Sequence, residues 1–219
     1  PLHAASRDPA NSPATADRAF IRRYIEKAEN LVQSHPDSAV DSYRLALRQA
    51  VASRDRDALQ DIYRRFFLLL FNQTRYQEAF DLADQEVAMG KRWRNEALQM
   101  KGYNNLAIGY QFLNDYRSAT ASYLKAATLA GRLGDRDDEA RILDNMSSLL
   151  LKLKDFQSAY TYGLRTAMAS REKGDTLYII SGLITMVNAM GGMEKYDSAL
   201  LYFDQAETMS HRLGHMLPP

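Results

Sequence analysis

The chain contains no cysteine in its 219 residues, which excludes disulfides, thiolate metal sites and thiol catalysis together. It carries almost no net charge. Lys plus Arg number 28 and Asp plus Glu 27, so nothing global draws the molecule to nucleic acid or to an anionic membrane. Long apolar runs are missing too: the longest, Phe66 to Phe71, spans six residues, against the roughly 18 that a membrane-spanning helix requires. There is no phosphate-cradling glycine loop of either common type. Of the four histidines, only His211 and His215 have a spacing suited to two metal ligands on one helical face. No third ligand or general base accompanies them, and Gly214 is expected to end the helix between them, so neither a metal nor a cofactor is expected.

What is present is periodic. The phrase NDYRSA at 114–119 returns as TRYQEA, KDFQSA and EKYDSA, and its alanine falls at Ala39, Ala79, Ala119, Ala159 and Ala199, each 40 residues after the last. Tyr76, Tyr116, Phe156 and Tyr196 precede the alanine at the same step, and Gly134, Gly174 and Gly214 follow it. A fixed period of roughly 20 to 50 residues marks a solenoid of stacked supersecondary units. Each period holds two amphipathic segments: Tyr103, Leu106, Ala107, Tyr110 and Leu113 before the phrase, then Ala119, Tyr123, Ala126, Ala127 and Ala130 after it.

Each unit is therefore a helical hairpin, and the fold class is all-α. The pattern predicts first helices near 18–34, 56–73, 95–113, 135–153 and 176–191, and second helices near 37–53, 76–91, 116–132, 156–172 and 196–212. Gly134 and Gly174 suit the left-handed residue that ends a helix, with Asp135 and Asp175 capping the next. Alanine marks the close crossing of the two helices, where a larger side chain costs about 1–3 kcal/mol through overpacking.

Residues 1–17 (PLHAASRDPANSPATAD) lack apolar periodicity and have the composition of a flexible tether. The missing initiator methionine, and the five residues 215–219 after Gly214, raise the expectation of a longer chain whose continuation begins there. The repeat domain is then 18–214.

The unit NNLAIGYQFLNDYRSATASYLKAATLA, 104–130, resembles the tetratricopeptide repeat: Leu106, Ala107, Tyr110, Tyr116, Ala119, Tyr123 and Ala126 stand at its signature positions. The resemblance extends from about Phe20 to Gly214. It departs in its period, 40 against about 34, which resembles the longer-helix variety of bacterial signalling proteins, and in the first unit, where Pro36 replaces the aromatic residue. The resemblance implies a right-handed α-solenoid of about five hairpins whose first helices line a concave face that holds a protein or peptide segment.

On that face the resemblance places Arg64 and Arg65, then Lys101, Asn104, Asn105, Ile108 and Phe112, then Arg141, Asn145 and Ser148, and finally Asn188. Arg64, Arg65, Lys101 and Arg141 suit either a carboxylate or plain solvation. The carboxylate clamp of chaperone-adaptor members is incomplete, because Leu68 stands where it needs asparagine. Asn105 and Asn145 resemble rungs of an asparagine ladder that pairs with peptide backbone, the alternative being amides bonded to neighbouring helices. Lys91-Arg92-Trp93-Arg94 fits a joint between hairpins rather than nucleic acid. The implied function is a non-catalytic protein- or peptide-binding scaffold, the extracytoplasmic sensing or interaction part of a bacterial signalling protein; a cytoplasmic peptide-pheromone-binding regulator is the alternative.

Overall fold

A computed structural model describes residues 13–216, and among them the chain forms ten helices and no strand. They are α1 (Pro13–Leu31), α2 (Pro36–Ser53), α3 (Arg56–Asn72), α4 (Tyr76–Arg92), α5 (Glu96–Phe112), α6 (Tyr116–Leu133), α7 (Arg136–Lys152), α8 (Phe156–Lys173), α9 (Thr176–Gly192) and α10 (Tyr196–Met216). Consecutive pairs form five hairpins.

What fixes their length is a turn every 20 residues. Arg54, Thr74, Arg94, Asn114, Gly134, Lys154, Gly174 and Glu194 all have positive φ, between 50° and 74°. At each one the next residue's N–H reaches back to a carbonyl five positions earlier, from Asp55 to Ala50 through Lys195 to Met190, at 2.8–3.2 Å. This is the left-handed helix stop that satisfies otherwise orphaned carbonyls. Asp55, Asn95, Asp115, Asp135, Asp155 and Asp175 then cap the following helix, each carboxylate or amide oxygen accepting from a backbone N–H of its first turn. Pro36 opens α2, where its missing N–H goes unused.

Both ends differ from expectation. The tether assigned to residues 1–17 lies outside the described residues for 1–12, and from Pro13 the chain is already helical. Proline is tolerated in a first helical turn, and the amide of Gln49 donates to Asp17 at 2.7 Å, holding that turn against α2. At the other end α10 continues past Gly214 to Met216. Glycine permits a left-handed stop without imposing one, and Gly214 does not take a positive φ.

The chain divides into two compact units, Pro1–Glu86 and Val87–Pro219. In the first, Leu59, Ile62, Tyr63, Phe66, Phe67 and Leu70 of α3 are buried, and the Phe66 ring stacks on Tyr43 of α2 with centroids 5.5 Å apart. In the second, Met100 and Ala107 of α5, Ala119, Tyr123 and Ala126 of α6, and Ile142, Leu143, Met146 and Leu149 of α7 form one core, which Ala159 and Ala189 extend. Ile179, Leu183 and Met186 of α9 pack on Ala206 of α10.

Small residues set how closely the helices approach. Ala39, Ala79, Ala119 and Ala159 are buried to 1% exposure or less. Helices α8 and α9 meet closer still: a methyl group built on Gly182 would stand 2.6 Å from the carbonyl oxygen of Gly163. No side chain larger than hydrogen fits there.

Two outcomes follow for stability. Ala119→Leu is expected to cost about 1–3 kcal/mol in urea unfolding, whereas Ala199→Leu, at a half-buried position of the same column, is expected to be nearly neutral. Thr74 is a β-branched residue held at φ 59°. Thr74→Gly is expected to stabilise by about 1 kcal/mol in the same measurement, because glycine enters that conformation without a Cβ clash.

Candidate functional site

Helices α5, α7 and α9 are the first helices of three successive hairpins and lie within the second unit, α7 packed against both of the others. Side chains polar in sequence join them. The Asn145 amide on α7 donates to Asn104 Oδ1 on α5 at 3.5 Å. Ser181 Oγ of α9 donates to Asp144 Oδ1 at 2.5 Å, and the hydroxyls of Ser147 and Thr185 share a hydrogen bond at 3.4 Å. Asn104, at 1% exposure, and Thr185 are buried in this seam.

Asn104 is therefore removed from the ligand-facing set predicted from sequence. Its side chain binds helix to helix, the alternative that the sequence had left open for the asparagines. Asn145 is spent in part on the same contact and remains half-buried, as does Asn105, which also has an interaction partner. Thr185, the position of α9 that follows Asn105 and Asn145 at the 40-residue step, is turned into the seam.

The basic groove is also corrected. Arg64 bonds Asp61 at 2.9 Å, and Arg65 bonds Asp61 at 2.8 Å as well as Glu29, all within the first unit. In the second unit Arg141 bonds Asp138, and Lys101 lies 3.9 Å from the same carboxylate. Each of the four cations has an internal counter-charge, so none stands ready for an acidic ligand. The acidic run at 137–139 opens α7, where carboxylates complement the helix macrodipole. In the structure Asp138 is a shared anion for two helices, and Glu139 is buried between Arg136 and Arg165. The spacing of Asp138 and Arg141, three apart on one helix, is the signal that would have found the first pair.

The residues left facing solvent have a different character. Phe112 on α5 is 49% exposed, and Ile184 on α9 is 49% exposed. Ser148 on α7 and Asn188 on α9 are exposed beside them in the helical register, while Ile108 is half-buried and packs on the core of the unit. In the first unit Leu68 of α3 is likewise exposed. Large apolar groups flanked on the same helices by neutral polar ones, with Lys152 of α7 at the register position of Phe112, suit apolar side chains with hydrogen-bonding flanks. Ile184, one helical turn before Asn188 on α9, belongs to this surface. Among the described residues no group of three metal-ligating side chains occurs, and no helix is long and apolar enough to cross a membrane.

No protein-family profile matches the chain, and no curated protein does. Solved structures share its fold. BtubC from P. vanneervenii is 15% identical with a TM-score of 0.64, the alignment covering 95% of each chain. Aspartyl phosphate phosphatase F from Bacillus subtilis is 15% identical with a TM-score of 0.76, covering 92% of this chain and 53% of that one, so the chain spans about half of its length. The nearly identical TPR-like repeats of a putative kinesin light chain from Podosopora anserina are 12% identical with a TM-score of 0.68, covering 90% and 97%.

Burial pushes the Asp144 carboxyl above its ordinary value of 3.8, and the Ser181 hydroxyl only partly offsets this. Because the folded-state value is the higher one, the buried carboxylate destabilises the fold at neutral pH. That penalty disappears as the pH falls through the folded value toward 3.8. Asp144→Asn keeps an acceptor for Ser181 without the charge. It is expected to raise the melting temperature by about 1–3 °C at neutral pH, with the gap to the parent closing as the solution is acidified.

Proposed function

We propose that this chain, which has the helical-hairpin repeat fold of tetratricopeptide proteins, is a non-catalytic module that binds a protein or peptide segment across α5, α7 and α9. The observation that carries this reading is the exposure of Phe112 and Ile184 on helices where Lys101 and Arg141 are paired with Asp138. A protein surface usually leaves apolar side chains scattered and backed by solvated charge. Here the polar groups tie the helices together and the apolar ones remain outside. The segment that fits is neutral and apolar, with one or two large side chains to set on Phe112 and Ile184, and with backbone groups for Ser148 and Asn188 to meet.

The finer reading is the extracytoplasmic sensing or interaction part of a bacterial signalling protein, supported by the resemblance of the 40-residue period to the long-helix repeats of such proteins. A second reading, a cytoplasmic peptide-pheromone-binding regulator, draws on the resemblance of the same 40-residue period to the repeats of such regulators. Protease accessibility of the epitope-tagged natural protein in intact bacterial cells separates the two.

Peptides selected from a random display library on the folded chain test the binding face. They are expected to be rich in apolar and aromatic residues, and to lose about tenfold or more in affinity to Phe112→Ala or Ile184→Glu. Selected peptides that bind both variants as tightly as the parent would remove this face from the proposal.

A further inference from the structure

A second surface of the same unit gathers two lysines that no carboxylate of the described residues answers. The Lys91 ammonium at the end of α4 lies 5.9 Å from the centre of the Tyr103 ring, and the Lys125 ammonium of α6 lies 5.1 Å from the same centre. Among the described residues neither lysine has a carboxylate partner. Glu96, at the start of α5, is taken by Arg132 at 2.7 Å. Beside the ring a cavity of about 350 Å³ is lined by Gln99, Tyr103, Leu124, Lys125, Thr128 and Arg132, among others. Tyr103 stands two residues from Asn105 on α5, about 200° around the helix, so this cavity and the face of Phe112 are separate.

Backbone packing builds the cluster. A methyl group on Gly90 would come 2.7 Å from the backbone nitrogen of Gln99, and the Gln99 amide donates to the Gly90 carbonyl at 3.3 Å. The last turn of α4 is thus pressed against α5, which brings Lys91 to Tyr103. A cation in that turn complements the helix macrodipole. Lys125 lies in the middle of α6, where no such complement operates. Each ammonium gains from the ring, but two that share one ring repel each other in the absence of an anion.

We propose that this groove is a docking site for an acidic segment of a partner polypeptide, with a carboxylate drawn to Lys125 in the groove and to the nearby Lys91 at the Tyr103 ring, and an apolar neighbouring side chain laid on Leu124 and Leu129. Arg132, paired with Glu96, and Gln99, whose amide is spent on the Gly90 carbonyl, line the rest of the groove. The apolar lining favours a polypeptide over a small anion, because a segment alternating acid and leucine satisfies both parts of the groove at once.

The test is an NMR titration of the ¹⁵N-labelled chain with acetyl-Glu-Leu-Glu-Leu-amide, beside acetyl-Lys-Leu-Lys-Leu-amide and sodium phosphate at equal ionic strength. The acidic peptide is expected to saturate shifts at Gln99, Tyr103, Lys125 and Thr128 in a roughly millimolar range, as befits a short probe. Lys91→Gln with Lys125→Gln is expected to weaken it about fivefold or more while leaving the rest of the spectrum in place, since both side chains are exposed. Phe112→Ala is expected to leave the titration unchanged, so failure here and failure at the first face are distinguishable. Three results would overturn the proposal: no saturating shifts with the acidic peptide, equal shifts with the lysine peptide, or an unchanged titration in the double variant. Shifts produced by phosphate but not by the acidic peptide would overturn it too, leaving a small-oxyanion site.

Discussion

Everything in this chain depends on the left-handed turn that recurs every 20 residues. It stops each helix at a fixed length, and a fixed length keeps the same register position on the same side of every hairpin. The alanine column exists because of that register: at the crossing point of each pair there is room for a methyl group, and the sequence supplies one at Ala39, Ala79, Ala119 and Ala159. Six of the eight turns use a residue other than glycine at positive φ. The strain of those six is offset by the turn bond in every case, and at Arg54, Arg94, Asn114 and Lys154 also by the cap that follows.

The same register decides what the first helices offer to a partner. One turn of each faces its neighbour and another faces solvent, and the sequence uses the neighbour-facing turn for polar chemistry. Asn104, Asn145, Ser147, Thr185, Asp144 and Ser181 bond across α5, α7 and α9. Buried polar groups of this kind penalise any sliding of one helix along the next, since a shift of one residue leaves each group unpaired. The seam therefore holds the solvent-facing positions in place, and Phe112 and Ile184 are presented by a surface that has little freedom to rearrange.

The fold was legible because it is written five times. A column that recurs at one step needs no propensity argument, and both helices of every hairpin stand within a few residues of where periodicity put them. The site was less legible for a related reason. Periodicity gives the angular position of a residue on its own helix, but whether position 104 or 105 turns toward α7 depends on how the helices roll against each other. That roll is set by contacts such as Gly163 on Gly182, which no single period contains. The arginines were placed correctly on their helices and assigned an external role, although Asp61 and Asp138 lie close enough in sequence to take them. Charge inside a repeat satisfies itself locally before it serves a ligand.

That rule also separates the two surfaces. On α5 and α7, Lys101, Arg136 and Arg141 have been answered by carboxylates, so what remains beside Phe112 and Ile184 to recognise a partner is chiefly shape and apolar contact. Around Tyr103 the lysines have not been answered, so what remains is charge. A segment that suits one surface is poorly matched to the other: apolar anchors gain nothing between two ammoniums, and an acid set on Phe112 would be desolvated without a counter-ion. The two proposed sites thus differ in character on one compact unit, and each calls for a segment of different composition.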